Sequence, residues 1–243
     1  MDRKERAWTD LVRSLVAEPT DVVVPPEMPF CAWEMFHSRT VDPKAWHEAV
    51  ATHDIMIRRF GELNAGTVLG TRPIEKSGKR FNEGFSWTRD AGYYGVRSKY
   101  YLPDEPDGRE ASWFAVGDRS FAPTKVGPMS VGFQICSELF FTEQSREIGK
   151  HGAHIIAAPR ATGGHRRWPT ATSMAAIVSG CFVASTNRRS RDSEAFAGRS
   201  LLLSPEGEVL AETSADAPFA TVEIDLEVAN RAKQTYPRNV RMP

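Results

Sequence analysis

The sequence of 243 residues has little of what several classes of protein require. Its three cysteines, Cys31, Cys136 and Cys181, are an odd number with wide spacing, which argues against a disulfide framework. No stretch approaches the roughly twenty apolar residues that a membrane span needs. We therefore expect free thiols, no contact with a membrane and a soluble, cytoplasmic protein.

Net charge is also missing, because 31 basic residues balance 31 acidic ones. Such a chain has no overall field to attract nucleic acid or an anionic bilayer. The six histidines are scattered, with no H-E-x-x-H motif and no Cys/His knuckle. We expect no nucleic-acid partner, no metal site and no cofactor, and a small molecule as the binding partner.

Linkers are absent as well. The chain has no long Gly/Ser-rich or Pro-rich run, no block of charges of one sign and no repeat of fixed period. The simplest prediction is one domain over residues 1–243.

Apolar residues recur with alternating helical and strand periods. Helical spacing over residues 8–16 precedes a β-branched strand at 21–25, and Asp42-Pro43 starts a second helix that reaches about residue 60. Further predicted strands are 67–70, 85–88, 93–98, 129–135, 153–158 and 181–185, and further predicted helices are 142–150 and 169–179. Two more strand pairs, with a turn at 204–207, close the chain. This order predicts an α/β fold, a layered α-β-β-α sandwich.

Three side chains that can take part in catalysis follow predicted apolar strands. In such sheets the ligand crevice lies at the carboxyl ends of the strands. Cys136 can act as a nucleophile if a base and a cation are near, Glu27 stands between prolines as a candidate base, and Lys99 offers a compact positive charge for an oxyanion. Taken singly, a buried thiol, a solvated acid and a surface lysine are the simpler interpretations.

Read together and in order, these segments resemble the nitrilase superfamily, the carbon–nitrogen hydrolases. The similar pieces are VVVPPEMPF, SKYYLPDEPDGREASWFAVGD, GFQICSELFF, HIIAAPRAT, CFVASTNR and GRSLLLSPEGEVL. The resemblance covers nearly the whole chain and implies a four-layer nitrilase-like sandwich. It also implies a homodimer or a higher homo-oligomer.

The segment that begins at Lys99 is similar to the branch of N-carbamoylputrescine amidases and N-carbamoyl amino acid hydrolases. In that branch a second glutamate lies just before an aromatic pair and Gly-Asp, which corresponds to Glu110 and not to Glu105. The resemblance implies that Glu110 orients Lys99, and that Glu105 is a solvated turn residue.

The resemblance implies a catalytic set of Glu27, Lys99, Glu110 and Cys136. Cys136 would attack an amide or N-carbamoyl carbonyl and form a thioester, Glu27 would carry protons, and Lys99 with the backbone N–H of Ser137 would hold the oxyanion. Neither a metal nor an organic cofactor takes part in this chemistry.

Candidate substrate-binding residues are less clear than the catalytic ones. Besides Ser137, they are Glu138, which could attract a cationic amine or act as a structural acid, and Arg160, which could bind a carboxylate or form an internal or interface salt bridge. Trp113 could line the pocket, although large aromatic residues are more often part of a core.

The chain departs from the family pattern at its start, where a charged segment replaces the usual apolar first strand. We expect this strand to be missing, so that either the true start lies upstream or the sheet tolerates the loss. Three other activities stay open: a true nitrilase, although Ser137-Glu138 lacks the Trp-Glu typical of that branch, acyl transfer to an amine, and a catalytically idle binding protein.

Overall fold

The structure is a computed structural model that describes residues 3–106, 108–190 and 195–240. The chain divides between Arg119 and Ser120 into two compact units, each with its own sheet. The prediction of a single domain over residues 1–243 stays a prediction.

Unit 1, which ends at Arg119, has a four-stranded sheet in its described part. Its strands are β1 (Thr20–Val23), β2 (Ala65–Lys76), β3 (Lys79–Thr88) and β4 (Gly92–Ser98), in that spatial order. β1 is parallel to β2, and the other two pairs are antiparallel. The helices are α1 (Arg3–Ala17), α2 (Pro43–Arg58) and the single turn α3 (Glu110–Trp113), with 3₁₀ segments at Trp33–His37 and Arg59–Glu62.

Local sequence explains these elements. Asp42 caps α2 by accepting a hydrogen bond from the Lys44 N–H at 2.9 Å, and Pro43 supplies a first-turn residue with a suitable φ. An aromatic core joins helix to sheet, since Phe60 stacks at 6.2 Å on Trp8 and at 6.1 Å on Phe85.

Unit 2 starts at Ser120 and has a six-stranded sheet in its described part. Its strands are β5 (Thr124–Val126), β6 (Met129–Phe133), β7 (Ile155–Ala157), β8 (Phe182–Ser185), β9 (Leu201–Leu203) and β10 (Val209–Glu212), in the spatial order β10-β9-β8-β7-β6-β5. The helices are α4 (Thr142–Lys150), α5 (Arg167–Ser179) and α6 (Leu226–Ala232), with a 3₁₀ segment at Cys136–Phe140.

The parallel strands of unit 2 are β6, β7 and β8, so their carboxyl ends meet at one edge of the sheet. β6 and β7 are fully buried and, apart from Ser130, apolar, as expected for parallel strands covered by helices. α4 packs closely on α5 because Gly149 has no side chain: a Cβ there would lie 2.1 Å from the carbonyl oxygen of Ser179.

The predicted elements differ from the structure in two main places. The strand predicted at 67–70 lies in the first half of the longer Ala65–Lys76. The polar end of this strand is paired with β3, with Lys76 opposite Lys79. The prediction of two strand pairs near the chain end is wrong: the described residues there contain the β9–β10 pair and then α6. Apolar alternation does not create a strand unless a neighbour completes its ladder.

The helices of the described residues are all too short or too polar to span a bilayer.

Candidate active site

A buried charged group lies within unit 1, centred on Lys99. The Lys99 Nζ donates to Glu27 Oε1 at 2.9 Å and to both carboxylate oxygens of Glu110 at 2.8 Å. The three residues are at most 1% exposed. Charges so far from water persist only when they are paired and hydrogen-bonded, so these residues form one electrostatic unit, the Glu27–Lys99–Glu110 cluster.

The sheet of unit 1 positions Lys99. The residue follows β4 directly, its N–H donates to the Asn82 carbonyl at 2.8 Å, and its own carbonyl accepts from the Gly117 N–H at 2.9 Å. Gly117 must be small, because a Cβ there would lie 2.2 Å from the Ser98 carbonyl oxygen. The backbone of Lys99 is therefore held from both sides.

The loop after β1 carries Glu27 and has an uncommon backbone. Met28 has φ +40°, a region that non-glycine residues seldom occupy. The Thr71 hydroxyl accepts from the Met28 N–H at 2.8 Å, and His53 Nε2 accepts from the Phe30 N–H at 3.4 Å. These side chains hold the loop in a conformation that the isolated backbone disfavours.

Glu110 is a buried acid whose proton affinity is raised. Burial raises the pKa of Glu110 to about 7; the nearby Glu27 adds to this increase and Lys99 opposes it. Near neutral pH this carboxyl can thus hold or release a proton. The other candidate in the same segment, Glu105, is exposed, so the structure places Glu110 and not Glu105 on Lys99.

Asn82 belongs to this site and was missed by the sequence analysis. Its Nδ2 donates to Glu27 Oε1 at 2.8 Å, and the residue is 1% exposed within β3. The sequence gave no signal for it, because the strand predicted in this region began only at residue 85, whereas the observed β3 begins at Lys79.

The candidate nucleophile lies in unit 2, at the edge where the parallel strands end. Cys136 begins the 3₁₀ segment after β6, is 6% exposed and has φ +51°. Its N–H donates to the Pro159 carbonyl at 3.0 Å. A non-glycine residue in this region carries backbone strain of about 1–3 kcal/mol, and such strain is concentrated at functional sites.

The turn around Cys136 is fixed by buried polar side chains. Glu138 Oε2 accepts from the Ile135 N–H at 2.8 Å, Gln134 Nε2 donates to the Glu138 carbonyl at 3.0 Å, and Ser145 Oγ donates to Gln134 Oε1 at 2.8 Å. These contacts favour the structural alternative for Glu138. Ser137, predicted to supply an oxyanion N–H, is half-buried.

Arg160 is 2% exposed and makes internal contacts in unit 2. Its guanidinium donates to Ser185 Oγ and Thr162 Oγ1, both at 2.7 Å, and to the Arg199 carbonyl at 3.0 Å. It also lies 5.5 Å from the centre of the Trp168 ring. These contacts fix the chain after β7, which favours a structural role over binding of a substrate carboxylate.

Trp113 is part of the aromatic core of unit 1. It is 1% exposed, its Nε1 donates to the Ser38 carbonyl at 2.7 Å, and its ring meets Phe36 edge-on at 5.3 Å. Trp113 is the last residue of α3, the turn that begins with Glu110, so its packing holds this turn in place.

The other two cysteines are buried, as expected for small apolar groups. The Cys31 thiol lies 3.4 Å from the Met28 carbonyl and the Cys181 thiol 3.1 Å from the Ala153 carbonyl. Burial raises the pKa of the Cys181 thiol, which lowers its reactivity. Within the described ranges, no three His, Cys, Asp or Glu side chains are grouped so that they could hold a metal ion.

Solved structures of other proteins share the fold of this chain. The chain superposes on a carbon–nitrogen hydrolase from Helicobacter pylori G27 with a TM-score of 0.79 and 22% identity, over 97% of this chain and 88% of that one. A glutamate-to-glutamine mutant of the amidase from Nesterenkonia sp. AN1, whose active-site cysteine was modified by Michael addition of acrylamide, gives a TM-score of 0.69 and 17% identity over 86% of this chain and 82% of the amidase. The predicted nitrilase-like α/β fold is confirmed.

Sequence comparison agrees on the family. The deaminated glutathione amidase of Mus musculus is 28% identical over 141 residues, which are 56% of this chain and 44% of the mouse protein. The chain thus spans less than half the length of this curated relative. The comparisons do not single out the N-carbamoyl branch.

The family described as carbon–nitrogen hydrolase matches residues 6–234, in both units. The chain therefore belongs to the carbon–nitrogen hydrolase family.

Proposed function

We propose that this protein is a cysteine-dependent hydrolase that cleaves a small linear amide or N-carbamoyl compound and releases ammonia or an amine. The observation that carries the proposal is the Glu27–Lys99–Glu110 cluster. A buried ion pair contributes little stability compared with apolar residues of the same volume. Three buried charges are better explained by chemistry, because they supply a base, a cation and a second carboxyl that tunes them.

In the first half of the proposed reaction, Glu27 accepts the proton of the Cys136 thiol as the sulfur attacks the carbonyl carbon. The carbonyl oxygen becomes an anion, and Lys99 with the Ser137 N–H stabilises it. The carbon–nitrogen bond then breaks, and protonated Glu27 donates its proton to the departing nitrogen. The product of this half is a thioester on Cys136.

In the second half, water attacks the thioester carbon. Glu27, again a carboxylate, takes a proton from this water, and Lys99 stabilises the second oxyanion. Collapse of this adduct breaks the carbon–sulfur bond, and the thiol recovers its proton. In this proposal Glu110 holds the Lys99 ammonium in place with two hydrogen bonds.

The substrate class has two lines of support. The similarity to an amidase favours a simple amide, whereas the resemblance of the Lys99 segment favours an N-carbamoyl group. Both classes offer a carbonyl carbon bonded to nitrogen, so both suit the same side chains. We place the two classes ahead of nitriles because the turn after Cys136 reads Ser137-Glu138.

The test is a comparison of purified wild type with Cys136→Ala on a panel of linear amides, N-carbamoyl amino acids and nitriles. We expect ammonia release from at least one amide or N-carbamoyl compound, and loss of that release in Cys136→Ala. Cys31→Ala and Cys181→Ala are matched controls, since both thiols are also buried, and they should keep activity.

Acrylamide gives an independent probe of the nucleophile, because it adds to the active-site cysteine in a glutamate-to-glutamine mutant of the Nesterenkonia amidase. Peptide mass spectrometry should find the adduct on Cys136 well before Cys31 or Cys181. Hydrolysis that persists in Cys136→Ala would refute the proposal, and absence of hydrolysis across the whole panel would favour a binding role.

A further inference from the structure

Asn82 presents its side-chain amide to the carboxylate oxygen that Lys99 also contacts. Asn82 Nδ2 lies 2.8 Å and Lys99 Nζ 2.9 Å from Glu27 Oε1. A carboxylate oxygen can only accept, so the amide must face Glu27 with its nitrogen. Two donors therefore converge on one oxygen of the proposed base.

The stability of the fold does not explain this residue. Asparagine is disfavoured within strands, and Asn82 lies inside β3 with 1% exposure. Its Oδ1 accepts no hydrogen bond from the residues that the structure describes. A buried, half-satisfied amide is unfavourable for folding, so its presence calls for a functional reason.

Two donors fill both lone pairs of Oε1, so a proton that reaches the carboxylate must bind to the second oxygen, Oε2. Building on the proposed function, we propose that Asn82 is a positioning residue that fixes the rotation of the Glu27 carboxylate and reserves Oε2 for the proton of Cys136. The proton would move from Cys136 Sγ to Glu27 Oε2, and the sulfur would become the thiolate.

The same residue also aligns the cation. The Asn82 carbonyl accepts from the Lys99 N–H at 2.8 Å, so one strand position sets both Glu27 and Lys99. The Asn82 amide in addition lowers the pKa of Glu110 by hydrogen bonding. Asn82 therefore reaches every member of the Glu27–Lys99–Glu110 cluster.

The first experiment measures the rate at which iodoacetate, which contains no amide bond to hydrolyse, alkylates Cys136, as a function of pH, in wild type, Asn82→Ala and Asn82→Ser. We expect Asn82→Ala to react about 10- to 100-fold more slowly near pH 7, because a misplaced base produces less thiolate. The deficit should disappear above about pH 8.5, where an ordinary thiol ionises unaided. Asn82→Ser keeps a donor in its hydroxyl and should recover part of the rate.

Ser86→Ala is the matched control. Ser86 is also a buried polar residue of β3, four positions along and hence on the same face of the strand. Its replacement should leave the pH profile of alkylation unchanged. With a substrate from the panel above, Asn82→Ala should lower kcat by a similar factor and change KM less than about threefold, because substrate contacts are kept.

The outcomes separate this inference from the proposed function. If Cys136→Ala is inactive while both Asn82 variants alkylate and hydrolyse as wild type does, the role of Asn82 is refuted and the hydrolase proposal stands. A rate loss in Asn82→Ala that is equal at every pH would also refute it, since it would indicate damage to the fold. If hydrolysis persists in Cys136→Ala, both proposals fail.

Discussion

The Glu27–Lys99–Glu110 cluster of unit 1 and the Cys136 turn of unit 2 are organised by different forces. The cluster depends on side chains: two buried carboxyls that both accept hydrogen bonds from one buried lysine. The turn depends on the backbone: a cysteine at φ +51° whose N–H is fixed by the Pro159 carbonyl. The cluster therefore depends on the pairing of its charges, and the turn depends on its backbone conformation.

This difference separates stability from chemistry. Loss of one member of the cluster leaves the others charged and buried, so folding should suffer together with activity. Loss of the Cys136 sulfur removes a small group from a turn that the backbone already holds, so activity alone should suffer. Substitutions at three positions test how far this contrast extends.

The largest effect is expected for Lys99→Met, which keeps length but removes the charge. Glu27 and Glu110 would then be two buried carboxyls without their cation, and we expect unfolding to become easier by about 3–5 kcal/mol. Urea denaturation measures this change. Lys150→Met is the control, because Lys150 makes an exposed ion pair with Glu147 at 2.7 Å, and such pairs contribute about 0–1 kcal/mol. Equal effects of the two substitutions would contradict the contrast.

A smaller effect is expected for the pH dependence of stability in Glu110→Gln. Burial raises the pKa of Glu110 from 4.5 to about 7, so the folded state binds this proton more tightly than the unfolded state does. The resulting stabilisation is complete below about pH 4.5 and is lost as pH rises through about 7. Between pH 5 and pH 8 the wild type should lose on the order of 1–3 kcal/mol through this group.

Glutamine cannot ionise, so the free energy of unfolding of Glu110→Gln should decline less than that of wild type over the same range. Urea denaturation at four pH values between 5 and 8 gives both curves, and all other titrating groups are common to the two proteins. Parallel curves would show that Glu110 does not titrate in this range.

The smallest effect is expected for Cys136→Gly compared with Cys136→Ala. Both lack the proposed nucleophile and should be inactive, but only alanine keeps the Cβ that is unfavourable at φ +51°. Glycine should therefore be more stable than alanine here by about 1 kcal/mol, the reverse of the usual order. Thermal melts of the two variants measure the difference, and a less stable glycine variant would show that the turn is not strained.

The sequence predicted those parts of the fold whose signals are local. The Asp42-Pro43 start of α2 depends on a side-chain cap, and it is found, as is α4 at its predicted bounds Thr142–Lys150. The polar half of β2 was not predicted, because Glu75 and Lys76 lack strand character until β3 pairs with them. The predicted second strand pair near the end of the chain failed for the related reason that no ladder partner is present in the described residues.

The candidate site shows the same division. The order of Glu27, Lys99 and Cys136 along the chain suggested a family, which the comparisons confirm. Neither pattern nor spacing could reveal the contact between Asn82 and Glu27, since it depends on which strand lies beside the loop. Arg160 suggested a carboxylate ligand because the sequence does not show Ser185 and Thr162 beside its guanidinium.

Gly117 is needed for the position of Lys99, although it is not one of the proposed reacting residues. The segment that contains it contacts the end of β4 so closely that even a methyl group would collide with the Ser98 carbonyl, and the displaced residue would be Lys99. A missense change at this codon would therefore mimic loss of the proposed catalytic cation, although glycine brings no functional group of its own. Any survey of inherited or laboratory variants should count position 117 with the reactive residues when it assigns alleles as null.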